Sequence, residues 1–342
     1  MHMADVLLSP VVGMTMNALS VTAIGVSVAK VKKNEIGENK IPIMGVAGAL
    51  VFAGQMINFA IPMTGSSGHI GGGILLAGLL GSIPAFLSMA AVIIIQCLFF
   101  ADGGLLALGS NIFVLGVVPC LIAYPLIFKP LLKGGIDKKR LSVASVVAVM
   151  AGLELGAFFV VALTMFSGIT ALPFGTFLAL MLPIHLAIGL AEGVITAAIL
   201  SFVHAMRPEI IDYAQSGERL SGVSTKKVLV ALAVLTVVTA CALSLFVSAN
   251  PDGLEWSIER TVAQTVGSEE EIEAEGGVHE GAASIQESTA FLPDYAFEGD
   301  PENAVGTTVS GLVGTVITFA VAGAAGFVIT KVKKGRRAKA SV

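Results

Sequence analysis

The chain of 342 residues holds five histidines, His2, His69, His185, His204 and His279, and two of them stand where a transition metal could be chelated. A histidine at position 2 can close two fused rings around one ion. The Met1 α-amine and the His2 amide nitrogen close a five-membered ring, and that amide with Nδ1 of the His2 imidazole closes a six-membered one. Three nitrogens thus come from two residues. A fourth would complete the tetragonal nitrogen set that suits Ni(II) or Cu(II) and does not suit hard cations such as Mg²⁺. His69 is the candidate fourth donor, in the run Thr64, Gly65, Ser66, Ser67, Gly68, His69, Ile70, Gly71, Gly72, Gly73. The glycines permit backbone shapes that let such a loop dip into a bundle, and Ser66 or Ser67 could orient a ligand. A lone loop histidine is a weak signal, but one on the same face as His2 completes a donor set. The chelate also needs a free terminal amine. No basic region precedes the first apolar stretch and no small-residue cleavage pattern stands out, so Met1 is expected to survive.

The elements that must position these donors are membrane helices. Apolar residues make up 55% of the chain, charged residues only 13%, and the mean hydropathy is +0.88, whereas about 25% of residues are charged in soluble domains. Apolar runs of roughly 20 residues recur, each long enough to cross about 30 Å of hydrocarbon as a helix. Strand-type alternation is absent. The fold class expected is an all-α integral membrane protein, a bundle of about nine transmembrane helices. Of 20 Lys and Arg, 19 fall in four blocks: Lys30 to Lys40, Lys129 to Arg140, Arg207 to Lys227, and Lys331 to Lys339. Basic short loops stay cytoplasmic, so an even number of spans should separate successive blocks. That parity predicts spans near 5–28, 41–62, 70–82, 84–100, 107–128, 142–168, 180–204, 228–248 and 308–330, with a break near Ser82 and Pro84. It makes the chain a multi-pass protein of the cell membrane, with the N-terminus external and the C-terminus cytoplasmic.

The one long polar segment, residues 249–306, is external by the same parity. Its Gly, Ser and Glu content cannot bury a core, so its middle is expected to be a solvated loop. The acid run Glu269, Glu270, Glu271, Glu273 and Glu275 reads first as a solvated face, with His279 and the carboxylates as a weaker metal attractor. Within the spans, Gln55, Asn58, Gln96, Asn111, Glu154, His185 and Glu192 are costly in lipid and should face protein or a pathway. Gln55 and Asn58 sit near the outer end of their span, where they could support the chelate from behind. His185 and Glu192, two helical turns apart on one face, could share a polar interior. Cys97, Cys120 and Cys241 have neither disulfide nor zinc spacing. There is no GxxxxGK[ST] phosphate loop and no catalytic cluster, so the chain is expected to bind no nucleotide, to touch no nucleic acid and to be no enzyme.

Met1 and His2, Gly54 to Phe59 through Gly68 and His69, Asp102 Gly103 Gly104, and Leu108 Gly109 Ser110 Asn111 together resemble the nickel/cobalt substrate-binding components of energy-coupling factor transporters, the CbiM/NikM family. Pro251 Asp252 Gly253 Leu254 Glu255 is similar to the PDGLE signature of that system's small accessory subunit. The resemblance implies a metal-binding membrane domain over 1–205, a cytoplasmic linker over 206–227 and a fused two-helix accessory domain over 228–342. It implies metal held by Met1, His2 and His69, supported by Gln55, Asn58, Ser66 and Ser67, and an accessory loop that assists loading. It also implies a transmembrane coupling protein and cytoplasmic ATPase subunits as partners, with Ni(II), or Co(II), as the transported substrate. The alternatives are cobalt uptake by the same system, or an ATPase-independent channel or secondary transporter lined by His185, Glu192 and Glu154.

Overall fold

The computed structural model describes residues 1–31, 40–217, 224–265, 277–297 and 304–340. The protein is an all-α membrane protein, and among the described residues six helices are long and apolar enough to cross a bilayer. In chain order the helices are α1 (Pro10–Lys30), α2 (Ile41–Gln55), α3 (Gly73–Leu80), α4 (Ser82–Phe100), α5 (Leu108–Leu131), α6 (Lys138–Ser167) and α7 (Phe174–Met206). There follow α8 (Pro208–Ser216), α9 (Lys226–Cys241), α10 (Gly253–Thr265), α11 (Gly277–Thr289) and α12 (Ala304–Ala340). Local chemistry sets several of the ends. Pro10 opens α1, where its missing N–H costs nothing, behind Ser9 as cap. Asp137 caps α6 by accepting the Arg140 N–H. Pro119 and Pro125 inside α5 remove two donors, and Phe113–Phe128 is wound as a wider π-type helix around them.

The break between α3 and α4 falls at Gly81, with φ of 81°. That backbone shape favours glycine, and Pro84 then sits harmlessly in the first turn of α4. At eight residues α3 is about 12 Å long, too short to span. The span expected over 41–62 stops at Gln55. Beyond it the chain turns into a two-stranded antiparallel hairpin of β1 (Phe59–Ile61) and β2 (Ser66–Gly68), with Ala60 opposite Ser67. Part of the stretch expected as a linker is helical: α8 buries Ile210, Ile211 and Tyr213 against α3 and α7. The polar segment expected as a loop is helical at both described ends, as α10 and α11, and its acid run lies outside the described residues.

Beside a small cluster of Ile61, Ile184 and Ile188, one large apolar core runs through the molecule. It joins Met1, Met3, Leu7 and Leu8 to the helix interiors and includes Leu232, Leu254 and Leu292 from the C-terminal third. Helices α9 and α12 pack along α2, while Phe52 on α2 meets Phe100 and Tyr295 at ring-centroid distances of 5.2 and 6.1 Å.

Candidate functional site

Residues 1–8 enter the bundle, burying Met1, Met3, Leu7 and Leu8. Asn111 at the start of α5 clamps this segment from both sides: its Oδ1 accepts the Met3 N–H at 2.7 Å and its Nδ2 donates to the Met3 carbonyl at 3.1 Å. The Gly104 N–H adds a bond to the same carbonyl at 3.0 Å, and Asp5 accepts the Ala107 N–H at 2.8 Å. Held this way, the Met1 ammonium donates to Nε2 of His69 at 2.7 Å and to Oδ2 of Asp252 at 2.8 Å.

His69 is set by what surrounds it. Its Nδ1–H donates to the Ile70 carbonyl at 3.1 Å, which leaves the Nε2 lone pair facing Met1. The chain after it is fixed by two buried side chains. Gln55 donates from Nε2 to the Gly71 carbonyl at 2.7 Å. Both Glu192 carboxylate oxygens accept main-chain N–H groups, from Gly71 and Gly72, at 2.8 Å each. Glu192 therefore acts as a clamp on the His69 loop.

The other expected supports are used differently. The Ser67 Oγ donates to the Asn250 carbonyl at 2.8 Å, its N–H donates to the Pro251 carbonyl at 2.8 Å, and Ser66 reaches the same carbonyl at 3.4 Å. Asn58 offers its main-chain carbonyl to the Ser248 N–H at 2.8 Å, and its side chain does not line the pocket. These residues dock the C-terminal segment onto the hairpin. Trp256 adds to the docking by donating from its indole to the Thr64 carbonyl at 3.0 Å. His185 does line the pocket. Its Nδ1 bonds the Met181 carbonyl at 2.8 Å, and its buried Nε2 has no protein partner.

Sequence reasoning left two carboxylates out of the site. Asp252 and Glu255 form a capping box at the head of α10: Asp252 Oδ1 accepts the Leu254 and Glu255 N–H groups, and Glu255 accepts the Asp252 N–H at 3.0 Å. That leaves Oδ2 for the Met1 ammonium. Gly253 follows because a Cβ there would lie 3.1 Å from Cε1 of His185. Asp102 is the second. It meets Nδ1 of His2 at 3.1 Å and accepts the Tyr295 hydroxyl. The His2 ring stacks on His69 with centroids 5.3 Å apart and planes 15° off parallel. The Nδ1 atom that a terminal chelate needs is thus engaged by Asp102, while His2 Nε2 is buried without a partner.

Burial, reinforced by the nearby ammonium, lowers the His2 and His69 pKa values to about 3, so both rings are neutral at pH 7. Burial alone would raise the Asp252 carboxyl, but the ammonium and His69 outweigh it and hold the group well below the usual range. Burial raises Asp102 against the opposing bond from Tyr295. Met1, His69, His185 and Asp252 line a cavity of about 10 Å³, the space of one water molecule or one bare ion. Among the described residues, no group of three His, Cys, Asp or Glu side chains is arranged to hold a metal, so any coordination here must draw on the main chain.

The profile of the family described as "Cobalt uptake substrate-specific transmembrane region" matches residues 2–210, and that of the "PDGLE domain" matches residues 226–331. A protein of Archaeoglobus fulgidus with the name "Putative fused nickel transport protein NikMN" is 32% identical over 97% of this chain and 98% of its own. The "Fused nickel transport protein NikMN" of Rhodobacter capsulatus is 26% identical over 94% of this chain and 95% of its own. A solved structure, "Crystal Structure of an Truncated Transition metal Transporter", superposes with a TM-score of 0.53 at 28% identity, covering 60% of this chain and 99% of that one.

Proposed function

The chain belongs to the cobalt-uptake substrate-specific transmembrane family, CbiM, as a nickel/cobalt transport component, and from that premise we propose that it captures Ni(II) with its own N-terminus for an ATP-driven importer. The separation of the Met1 nitrogen from His69 Nε2, 2.7 Å, carries this reading. In the fused-ring chelate the amine and His2 Nδ1 are both tied to the central amide nitrogen, so they lie opposite each other. The fourth corner is opposite the amide and adjacent to the amine. With metal–nitrogen bonds near 2.0 Å, adjacent corners of a square lie about 2.8 Å apart. Met1 and His69 are already at that spacing, and His69 presents its lone pair. Loading exchanges the hydrogen bonds of the Met1 ammonium and of His2 Nδ1 for the metal, and releases protons.

A tetragonal set of four nitrogens favours Ni(II) over harder cations, and two relatives fused in the same order carry nickel in their names. Residues 1–205 form the metal-binding unit, 206–227 join it, and 228–342 form the accessory unit. Its Asp252 holds the amine in place, which preorganises the claw at little entropic cost on binding. The N-terminus lies outside, and a coupling protein with ATPase subunits supplies the energy that returns the loaded site to the cytoplasm. Nickel accumulation in membrane vesicles tests this. Uptake should require the added coupling and ATPase subunits and ATP, and should survive a protonophore. Uptake by this chain alone, abolished by a protonophore, would replace the reading with a secondary transporter.

A further inference from the structure

Beside the small pocket lies a second cavity of about 520 Å³, with His2 and Asp252 in its wall. Six carboxylates line it: Asp5, Asp102, Asp252, Glu255, Glu280 and Asp294. None of the described lining residues is Lys or Arg. Four of these acids are used in hydrogen bonds, but Glu280 and Asp294 are exposed at the rim and spend their carboxylates on none among the described residues. The lining also carries His279, nine-tenths buried, whose Nε2 meets the Leu8 carbonyl at 2.9 Å while its Nδ1 is buried with no partner. Burial and Asp102 both raise the Asp294 carboxyl, as expected for acids crowded without a counterion.

The sizes of the two cavities differ in a way that matters for a divalent cation. Six waters at about 30 Å³ each, the shell of a hydrated ion, fit inside 520 Å³. They cannot fit in the 10 Å³ beside Met1 and His69. Since among the described residues no three His, Cys, Asp or Glu side chains are arranged to ligate an ion directly, the larger cavity suits a cation that keeps its water. We propose that this acidic vestibule, walled by both the N-terminal and the PDGLE portions, is a capture station that holds the hexahydrated divalent cation by outer-sphere contacts before it sheds water and passes Asp252 to the inner pocket. The assignment rests on the inner pocket being the final site. It gives the accessory portion a share in binding the cargo as well as in docking the terminus. A cleft lined by one sign of charge raises cation on-rates by about 10- to 1,000-fold, while rim charges leave the off-rate alone.

Hexaamminecobalt(III) is the direct probe, because it has the size of a hexahydrated divalent ion, carries one further positive charge, and exchanges no ligands. Titrated into the full chain at low ionic strength, it should bind in one equivalent, and equally well to His69→Ala. The double variant Glu280→Gln with Asp294→Asn should weaken it at least tenfold and slow nickel loading in stopped flow about tenfold, with the nickel off-rate unchanged. Asparagine accepts the left-handed backbone of residue 294, where φ is 50°, so this variant should keep its fold. If the wild type does not bind the complex, or the double variant loads nickel at the wild-type rate, the station does not exist. If the complex binds while nickel does not, the inner pocket is misassigned and the vestibule stands.

Discussion

Glu192→Gln tests whether the buried carboxylate on α7 serves the His69 loop or a path through the bundle. As a carboxylate it accepts the Gly71 and Gly72 N–H groups at 2.8 Å each, and it is only 3% exposed. Glutamine keeps one acceptor oxygen and turns an NH₂ toward the second N–H. One hydrogen bond to a charged acceptor is lost, worth about 1.5–3 kcal/mol, and two buried donors then face each other without a partner. The loop order lost in this way must be restored when the metal seizes His69, so much of the cost falls on binding. About 3 kcal/mol corresponds to roughly 100-fold in affinity, and sharing between the free and bound states brings the expected loss of nickel affinity to 10- to 100-fold. Calorimetric titration of the purified chain reads this directly. Glu154→Gln is the control, since Oε1 of Glu154 is buried with no hydrogen-bond partner; its effect should stay under about threefold. Wild-type affinity in Glu192→Gln would refute the clamp. An equal loss in Glu154→Gln would point instead to an acidic path through the bundle.

Three further outcomes follow from the same geometry. Ser66→Ala with Ser67→Ala removes the side-chain bonds to Asn250 and Pro251, at about 1 kcal/mol each, and should raise protease cleavage in the 249–265 segment several-fold while leaving α1 to α7 intact. His185→Ala should change nickel affinity by less than about threefold, because the four-nitrogen set is complete without it; loss of stoichiometric binding would make His185 a ligand. The docked terminus should loosen in acid. His2 and His69 titrate near 6.5 when released and near 3 when buried, so below 6.5 the released state takes up protons and the docked state does not. Docking is therefore full above pH 6.5 and declines progressively toward pH 3. Amide exchange in residues 1–8 should be faster at pH 5 than at pH 7 after correction for the intrinsic rate, and no difference would contradict the assigned burial.

That Met1, His2 and His69 should lie together was legible in the sequence, because the proposed chelate is a property of residue type and position: His2 needs only the terminus, and His69 stands out by its glycines. The all-α fold was legible too, since hydropathy is averaged over whole spans. What hydropathy could not see was where apolar chain stops being helix, as at Gln55, beyond which 59–68 forms a hairpin with an exposed turn and a buried second strand. Ser66 and Ser67 were expected to orient a ligand, whereas their side chains bond main-chain carbonyls more than 180 residues away, which no local signal reveals. Asp252 was visible as a motif residue, and its capping box with Glu255 could have been read from the three-residue spacing. Its second task, holding the Met1 amine, depends on tertiary docking. Glu192 was expected to face protein or a pathway, and the structure gives it protein; its two N–H donors come from another element, which no local signal reveals.

The terminal chelate is the centre of the function proposed for this chain. Nickel titration of the chain with its native N-terminus should give one tight site. His2→Ala, His69→Ala and a chain whose Met1 amine is acetylated should each lose stoichiometric binding, the last because a blocked amine can no longer close its five-membered ring beside the His2 amide. If all three bind nickel like the native chain, the metal is held elsewhere and the site is wrong.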